Sequence, residues 1–505
     1  MRQEHRQNPE HEVTESALPV PGWAREVAAS LGEGPHVVVT GISPSGHIHI
    51  GNLREVLVGE AVCRALRERG EEVRFIFHAD TADPLRKIAP GVPKEYERYL
   101  GHPIAKIPDP AGEHESYAES FLAPFERALH AMGMEIDVLR SHELYEKGVY
   151  TEVTREALEH TEELRRIMNE VTGREMPEGW SPYVPRASSG KLTGNRFVRH
   201  LPDEHKVVFV TEEGREEVAD YSKGEGKLGW RVELAARWKA LGVTFEPFGK
   251  DHTSRGGSTD TADLMAREVF GYPVPGRYEY EWLQIRGLGA MSSSRGIVLL
   301  PGEMLEIMPP DALRLLVLGR DPSRALDVDV AAGFPRFMDE YRAAVGEPEV
   351  PFTHLALVAQ TFGEDIGGAA EALRHSGYGA AAEDEGRLAR DLYYARNWAE
   401  RWAPEEQRFK MTGEVPGLAS QLGEEERTYL GIVAERLGTE MDAEEIQETL
   451  YSAARELGIK PRRAFAALYA ALLGRKSGPK AGPFIAGAGV EVVRERLRSV
   501  AGGEV

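Results

Sequence analysis

Cysteine is nearly absent from the 505 residues: Cys63 stands alone. A disulfide framework within one copy is thereby excluded, and a thiolate metal site lacks ligands. No apolar run approaches the length of a membrane span. The first twenty residues, MRQEHRQNPEHEVTESALPV, are polar and carry no apolar stretch of the secretory kind, so residues 1–22 read as a disordered tail. Cations are the scarcer charge, with 61 Lys and Arg against 82 Asp and Glu and a formal net charge of −21. That balance argues against a general nucleic-acid coat, yet a local basic face can still meet phosphate, and DNA is not an expected partner. A cytoplasmic protein without membrane contact is expected, and the length predicts two to four domains.

What is present is patterned. PHVVVT (35–40) is a β-branched run suited to a buried parallel strand. In GNLREVLVGEAVCRALRERG (51–70), Leu53, Val56, Leu57, Ala61 and Leu66 recur at helical spacing before Gly70. EEVRFIFHAD (71–80) reads as a second strand with a polar end. Strand, helix, strand is a βαβ unit, and ligands sit beyond the carboxyl ends of such strands. The loop 41–52 and His78, Asp80 and Asp83 therefore converge on one crevice. From 110 to about 225 the sequence looks like a strand-poor polar insertion. At 226 the pattern returns: GKLGWRVELAARWKALG as helix, VTFEPFG as strand, and STDTADLMAREVFG as helix capped by Ser258 or Thr259. Beyond about 345 the reading is all helix, and Asp442 with Glu445 forms a capping box.

The loop itself, GISPSGHIHIGN (41–52), sets two histidines one residue apart among glycines, a proline and serines. Three readings compete: a metal pair completed by His252 and Asp251, a loop whose imidazoles bond its own backbone, or a phosphate site. The third has more support, because Gly46 and Gly51 permit close backbone approach and a helix begins near Gly51 with its N-terminal dipole toward the crevice.

PSGHIHIGN resembles the HIGH signature of class I aminoacyl-tRNA synthetases, and within them the HIGN form of the class I lysyl-tRNA synthetases of archaea and some bacteria. PFGKDHTSRGGSTDT (247–261), GAMSSSRG (289–296, at the place of the KMSKS loop) and LGRKSGPKAGPFIAGAG (473–489) carry the resemblance from 23 to 500. It implies a Rossmann-type α/β catalytic domain with an insertion, followed by an all-helical anticodon-binding region. The implied boundaries are 23–110 and 226–300 for the catalytic halves, 111–225 for the insertion, 301–345 for a stem-contact connection and 346–505 for the helical domain. The implied activity is ATP-dependent joining of L-lysine to tRNA(Lys), with Mg²⁺ accompanying ATP.

By the same resemblance, Pro44, Gly46, His47, His49, Gly51, Asn52, Gly249, Asp251, Met291 and Arg295 would meet ATP. His47, His49, Ser292, Ser294 and Arg295 would act on the phosphates. Gly41 and Ser43 would hold the α-amino end of lysine, with Trp230, His252, Tyr278 and Tyr280 around its side chain. In GRYEYEWLQIRG, strand alternation lets only one of Glu279 and Tyr280 point inward.

The sequence also departs from the family pattern. Ala290 and Ser293 stand where the loop's lysines belong, leaving Arg295 as its cation. The places of a C-x-x-C-G zinc knuckle fall on Arg186 and Ser189 before Gly190, and on Val210 and Glu213 before Gly214, so no structural zinc is expected. Arg462, Arg463, Arg475, Lys476 and Lys480 are the cations offered to tRNA, and Tyr393, Tyr394, Trp398 and Trp402 are either base-stackers or core. Rival readings are a paralogue that binds tRNA without charging it, a small-molecule nucleotidyltransferase, and a class I synthetase for another amino acid.

Overall fold

Parallel pairing organises the catalytic half. Strand β1 (His36–Ile42) pairs with β2 (Val73–Ala79) in register from His36 opposite Val73 to Ile42 opposite Ala79. Val38, Val39, Ile76 and Phe77 are buried, as expected of strands covered on both faces. The computed structural model describes residues 16–177, 179–287, 289–291, 298–408, 415–478 and 480–502. They form two compact units: one runs through residue 305 and adds 313–328, the other takes 306–312 and 329 onward.

In the first unit, β3 (Asp137–Arg140) joins β2, while β9 (Phe245–Gly249) and β10 (Gly276–Tyr280) add to the other side of β1. The order is β3-β2-β1-β9-β10, with all neighbours parallel. The chain first builds outward from β1 and later returns to its opposite edge. The reversal between β1 and β9 is a topological switch point, and a crevice opens there at the carboxyl ends. Helix α1 (Ile50–Glu68) follows β1, and α2 (Trp230–Leu241), ended by left-handed Gly242, precedes β9.

The structure corrects three sequence expectations here. Strand β3 lies at 137–140, inside the stretch expected to be insertion, because a four-residue edge strand with partly exposed side chains leaves little apolar signal. The stretch after it is not strand-poor: β4 (Tyr183–Pro185) pairs with β8 (Gly226–Leu228), and β5 (Arg196–Leu201), β6 (Lys206–Val210) and β7 (Glu216–Asp220) form an antiparallel sheet. Helix Ser258–Glu268 is capped by Gly257, since the hydroxyls of Ser258 and Thr259 go to His252 instead, at Nδ1 (2.8 Å) and the carbonyl (3.0 Å).

The insertion packs onto the sheet. Tyr150, Tyr183, Val207 and Phe209 share one apolar cluster with Val39, Ile76 and Trp238. Around the two knuckle-like turns, Ser188 donates from its amide and hydroxyl to Glu217, both at 2.7 Å, and Lys191 lies 3.5 Å from Glu212.

The second unit is helical, with a core that includes Tyr429, Leu450, Leu468, Phe484 and Leu497. The capping box at Asp442 and Glu445 is present. Trp398 and Tyr394 are buried, Trp398 donating to the Val330 carbonyl at 3.0 Å and stacking on Phe334. They are therefore core, not base-stacking surface.

Arg54, on the first turns of α1 and fully buried, donates to the carbonyls of Glu281 (2.6 Å) and Arg324 (3.1 Å), with Trp282 at 3.4 Å. It ties α1 to the segment leaving β10. Arg54→Met frees these acceptors and is expected to lower stability by about 2 kcal/mol, read from urea unfolding, while Arg54→Lys recovers only part because it lacks the fork.

Candidate functional site

The turn between β1 and α1 cannot continue either element. Pro44 and Gly46 interrupt it, and Ser45 N–H closes on the Ser43 carbonyl at 2.8 Å. His49 is the N-cap of α1, and its N–H donates to the Asn52 side chain at 3.1 Å. A Cβ on Gly51 would lie 2.9 Å from His49 Nδ1, so glycine is what lets the imidazole fold over the first helical turn. Burial pushes the His49 imidazole down to about 4, which leaves a neutral ring at ordinary pH. Its Nδ1 is buried with no partner among the described residues.

At the switch point a cleft of about 760 Å³ is lined by Gly41, Ser43, His49, Gly51, Asn52, Trp230, Asp251, His252, Tyr280 and Met291, all expected site residues. A smaller cavity of about 260 Å³ adjoins it, lined by Ser45, Gly46, His47, Asn52 and Lys87. There the His47 ring meets Phe121 edge-on with centroids 5.1 Å apart. Pro44 is buried beneath the turn and lines neither space. Gly249 sits behind Tyr280, where a Cβ would come within 2.7 Å of Asp251 Oδ1. Ser292, Ser294 and Arg295 lie outside the described residues.

Tyr278 does not line the cleft. It shares a strand face with Tyr280 but lies two residues further from the carboxyl end; its hydroxyl donates to Asp321 at 2.7 Å and its ring packs against Trp23. Alternation directs Tyr280 inward and leaves Glu279 exposed, paired with Thr253.

Sequence reading missed the central acid. Glu55, on α1 one turn beyond Asn52, accepts the Tyr280 hydroxyl at 2.5 Å and the Gly41 N–H at 2.9 Å. It is half-buried and lines the cleft, and burial pushes its carboxyl up to about 7 against the pull of those two hydrogen bonds. No cation among the described residues is within ion-pair distance of it. Its 3-residue spacing from Asn52 was the available signal, since both fall on one helix face. Trp230 and His252 wall the same end, with ring centroids 6.1 Å apart.

Beneath lies a buried ion network. Arg237 reaches Glu246 at 2.5 Å and His78 Nδ1 at 3.2 Å, and His78 Nδ1 lies 3.0 Å from Asp80. Trp238 Nε1 donates to Glu246 at 2.6 Å, and Lys227 pairs with Asp83 and with Glu233. Burial alone would raise Asp80; His78, Arg237 and Lys227 outweigh it and hold the carboxyl at about 2. His78, Asp80 and Asp83 were expected at this crevice; Arg237, Glu246, Lys227 and Glu233 were not, since each belongs to a different element or pairs across elements. The metal reading of the His47–His49 pair finds no support, for no three metal-ligating side chains gather among the described residues.

In the helical unit, Arg462, Lys476 and Lys480 are exposed. Arg463 is engaged by Glu425 and Glu426 at 2.7 and 2.9 Å, and half-buried Arg475 donates to the Glu405 carbonyl at 3.2 Å.

The cleft thus has a carboxylate and aromatic walls at one end and a glycine-rich turn, imidazoles and a helix N-terminus at the other. A relative named lysine–tRNA ligase from Archaeoglobus fulgidus is 41% identical over 495 residues, covering 94% of this chain and 99% of the relative. Another, lysine–tRNA ligase 1 of Methanosarcina acetivorans, is 35% identical, covering 92% and 95%. A solved glutamate tRNA ligase from Elizabethkingia meningosepticum is 14% identical with a TM-score of 0.47, covering 92% of this chain and 99% of that one. The pattern described as anticodon binding domain matches residues 416–501, and the pattern of the tRNA synthetases class I (K) matches residues 22–349. The chain belongs to the class I (K) family of tRNA synthetases.

Proposed function

We propose that the chain is a lysine–tRNA ligase, which activates L-lysine with ATP and transfers it to the 3′ end of tRNA(Lys). The observation that carries this is Glu55: a carboxylate with no ion-pair partner among the described residues, lining a cleft whose far end suits phosphate. A lysine ammonium supplies the missing charge, and Trp230, His252 and Tyr280 flank its aliphatic stem. Glutamate, with a carboxylate in the same place, would be repelled, which disfavours a synthetase for an acidic amino acid.

In this reading the lysine carboxylate attacks the α-phosphorus of ATP, and pyrophosphate leaves. A terminal ribose hydroxyl of tRNA then attacks the acyl carbon, and AMP leaves. The chain's work is positioning and charge stabilisation. The neutral His49 donates an N–H to the phosphates, His47 faces the adjoining cavity, and the N-terminal turn of α1 contributes its dipole. Gly41, Ser43 and ionised Asp80 take the α-amino end. Asp251 and Met291 flank the nucleotide, with Ser292, Ser294 and Arg295 assigned to the phosphates by sequence alone. Mg²⁺ accompanies ATP, carried by the phosphates themselves. Arg462, Lys476 and Lys480 offer charge to tRNA phosphates. No helix among the described residues is long and apolar enough to cross a membrane, and we place the activity in the cytoplasm with translation.

Two outcomes are expected. Purified protein given its tRNA, ATP and each amino acid in turn charges lysine, and His49→Ala lowers kcat by about a hundredfold; charging of a different amino acid would refute the lysine pocket. Glu55 binds ammonium only when ionised, so lysine affinity rises from pH 6 to 8 through the carboxyl's value of about 7, and Glu55→Gln flattens that profile. The sign for folding is opposite: a carboxyl raised on folding contributes fully below its unfolded value near pH 4 and loses that contribution as pH rises through about 7. Thermal melts of the ligand-free protein at pH 5 and 8 check this against Glu55→Gln.

A further inference from the structure

Arg86 and Lys87 follow the second strand's polar end and line the main cleft, and Lys87 also lines the adjoining cavity beside Gly46 and His47. Both are exposed. The neighbouring cations are spoken for: Lys227 by Asp83 and Glu233, Arg237 by Glu246, Lys250 by Glu281. Arg86 and Lys87 have no carboxylate partner among the described residues. Two adjacent unpaired cations at a cleft mouth, in a chain with net charge −21, are a specific local reversal of sign.

Their placement is rigid. Leu85 and Ala89, on either side of the pair, are buried in a cluster with Tyr96, Tyr117 and Phe121. The Leu85 amide donates to the His102 carbonyl at 2.8 Å, and its carbonyl accepts from Gly101 at 2.9 Å. The Tyr117 hydroxyl accepts the Ala89 N–H at 3.2 Å and donates to the Ser45 carbonyl at 3.1 Å. One phenol thereby pins the segment carrying the cations to the turn carrying His47. Phe121, one helical turn along from Tyr117, holds the His47 ring. The sequence from 287 to 300 contains no lysine, so a second source of positive charge at the phosphate end has a role to fill.

We propose that Arg86 and Lys87 bind the β- and γ-phosphates of ATP and neutralise the pyrophosphate as it leaves. This rests on the ATP-dependent reading above. As the lysine carboxylate oxygen bonds to the α-phosphorus, the bond from that phosphorus to the bridging oxygen breaks, and its electron pair leaves with pyrophosphate. The two cations meet the charge that develops there. Arg86 supplies a planar fork and Lys87 a point charge, a combination that holds one phosphate by geometry and the next by field.

The test is calorimetric titration of the full-length protein with pyrophosphate, ATP and AMP in Mg²⁺ buffer, comparing wild type with Lys87→Gln, Arg86→Gln, the double variant and Lys87→Arg. Each single neutralisation is expected to weaken pyrophosphate and ATP by about tenfold, with AMP held within about twofold. Lys87→Arg should retain most of the affinity, and aminoacylation by Lys87→Gln should show a fall in kcat with the KM for lysine unchanged. Unaltered pyrophosphate affinity in the double variant overturns the proposal. So does an equal loss for AMP, which would mark a collapsed wall. Failure of the lysine reading registers separately, as wild-type protein that binds pyrophosphate through the pair yet charges no lysine.

Discussion

The buried guanidinium of Arg237 is the contact on which the catalytic half depends. It comes from α2, reaches Glu246 on β9, lies 3.2 Å from His78 Nδ1 on β2, and occupies space 3.4 Å from where a Cβ on Gly41 of β1 would be. Strands β2 and β9, on either side of β1, are therefore tied to one cation that packs against β1. Taking these charges out of water costs several kcal/mol per ion, and the network offsets that only while complete. Without Arg237, Glu246 and Asp80 would be buried with much less compensation. The indole of Trp230 lies 5.7 Å from the guanidinium, so the floor that stiffens the sheet also seats a wall of the cleft.

One helix then orders the cleft from end to end. His49 caps α1, Asn52 closes the cap, and Glu55 follows one turn later. A helix rises about 1.5 Å per residue, so the phosphate-facing cap and the ammonium-facing carboxylate are held a short fixed distance apart. The helix N-terminus favours negative charge in a ligand, while Glu55, raised to about 7 by its surroundings, favours positive charge. A molecule with a phosphate-bound carboxyl at one end and an amine at the other matches this polarity. Gly41 at the close of β1 and Gly51 on α1 contribute by lacking a side chain, since a Cβ at either would stand 2.9 Å from a neighbouring atom.

Much of this was legible in the linear chain because it is local. The β-branched run of β1, the amphipathic α1, the strand at Phe245–Gly249 and the capping box at Asp442 each depend on residues within a few positions. GISPSGHIHIGN announced its turn, and a helix starting near Gly51, through Pro44, Gly46 and Gly51. Where local signal was thin, reading failed: the short edge strand Asp137–Arg140 and the insertion's hairpins carry too few buried residues to stand out. Ser258 has the composition of a cap, yet its hydroxyl found His252 instead.

Which chemical groups lie at the carboxyl ends of the strands follows from the linear chain, because a βαβ unit places those ends together whatever the details of packing. How these groups are charged, and which of them meet, depends on the assembled sheet. Glu55 reads as an ordinary helical acid until Tyr280, 225 residues away, donates to it. Tyr278 and Tyr280 are equivalent by alternation, and their distance from the strand end separates them. Arg237 reads as one more helical cation until β2 and β9 close around it. Ionisation and orientation depend on neighbours far apart in the chain, and those neighbours exist only once the sheet is assembled.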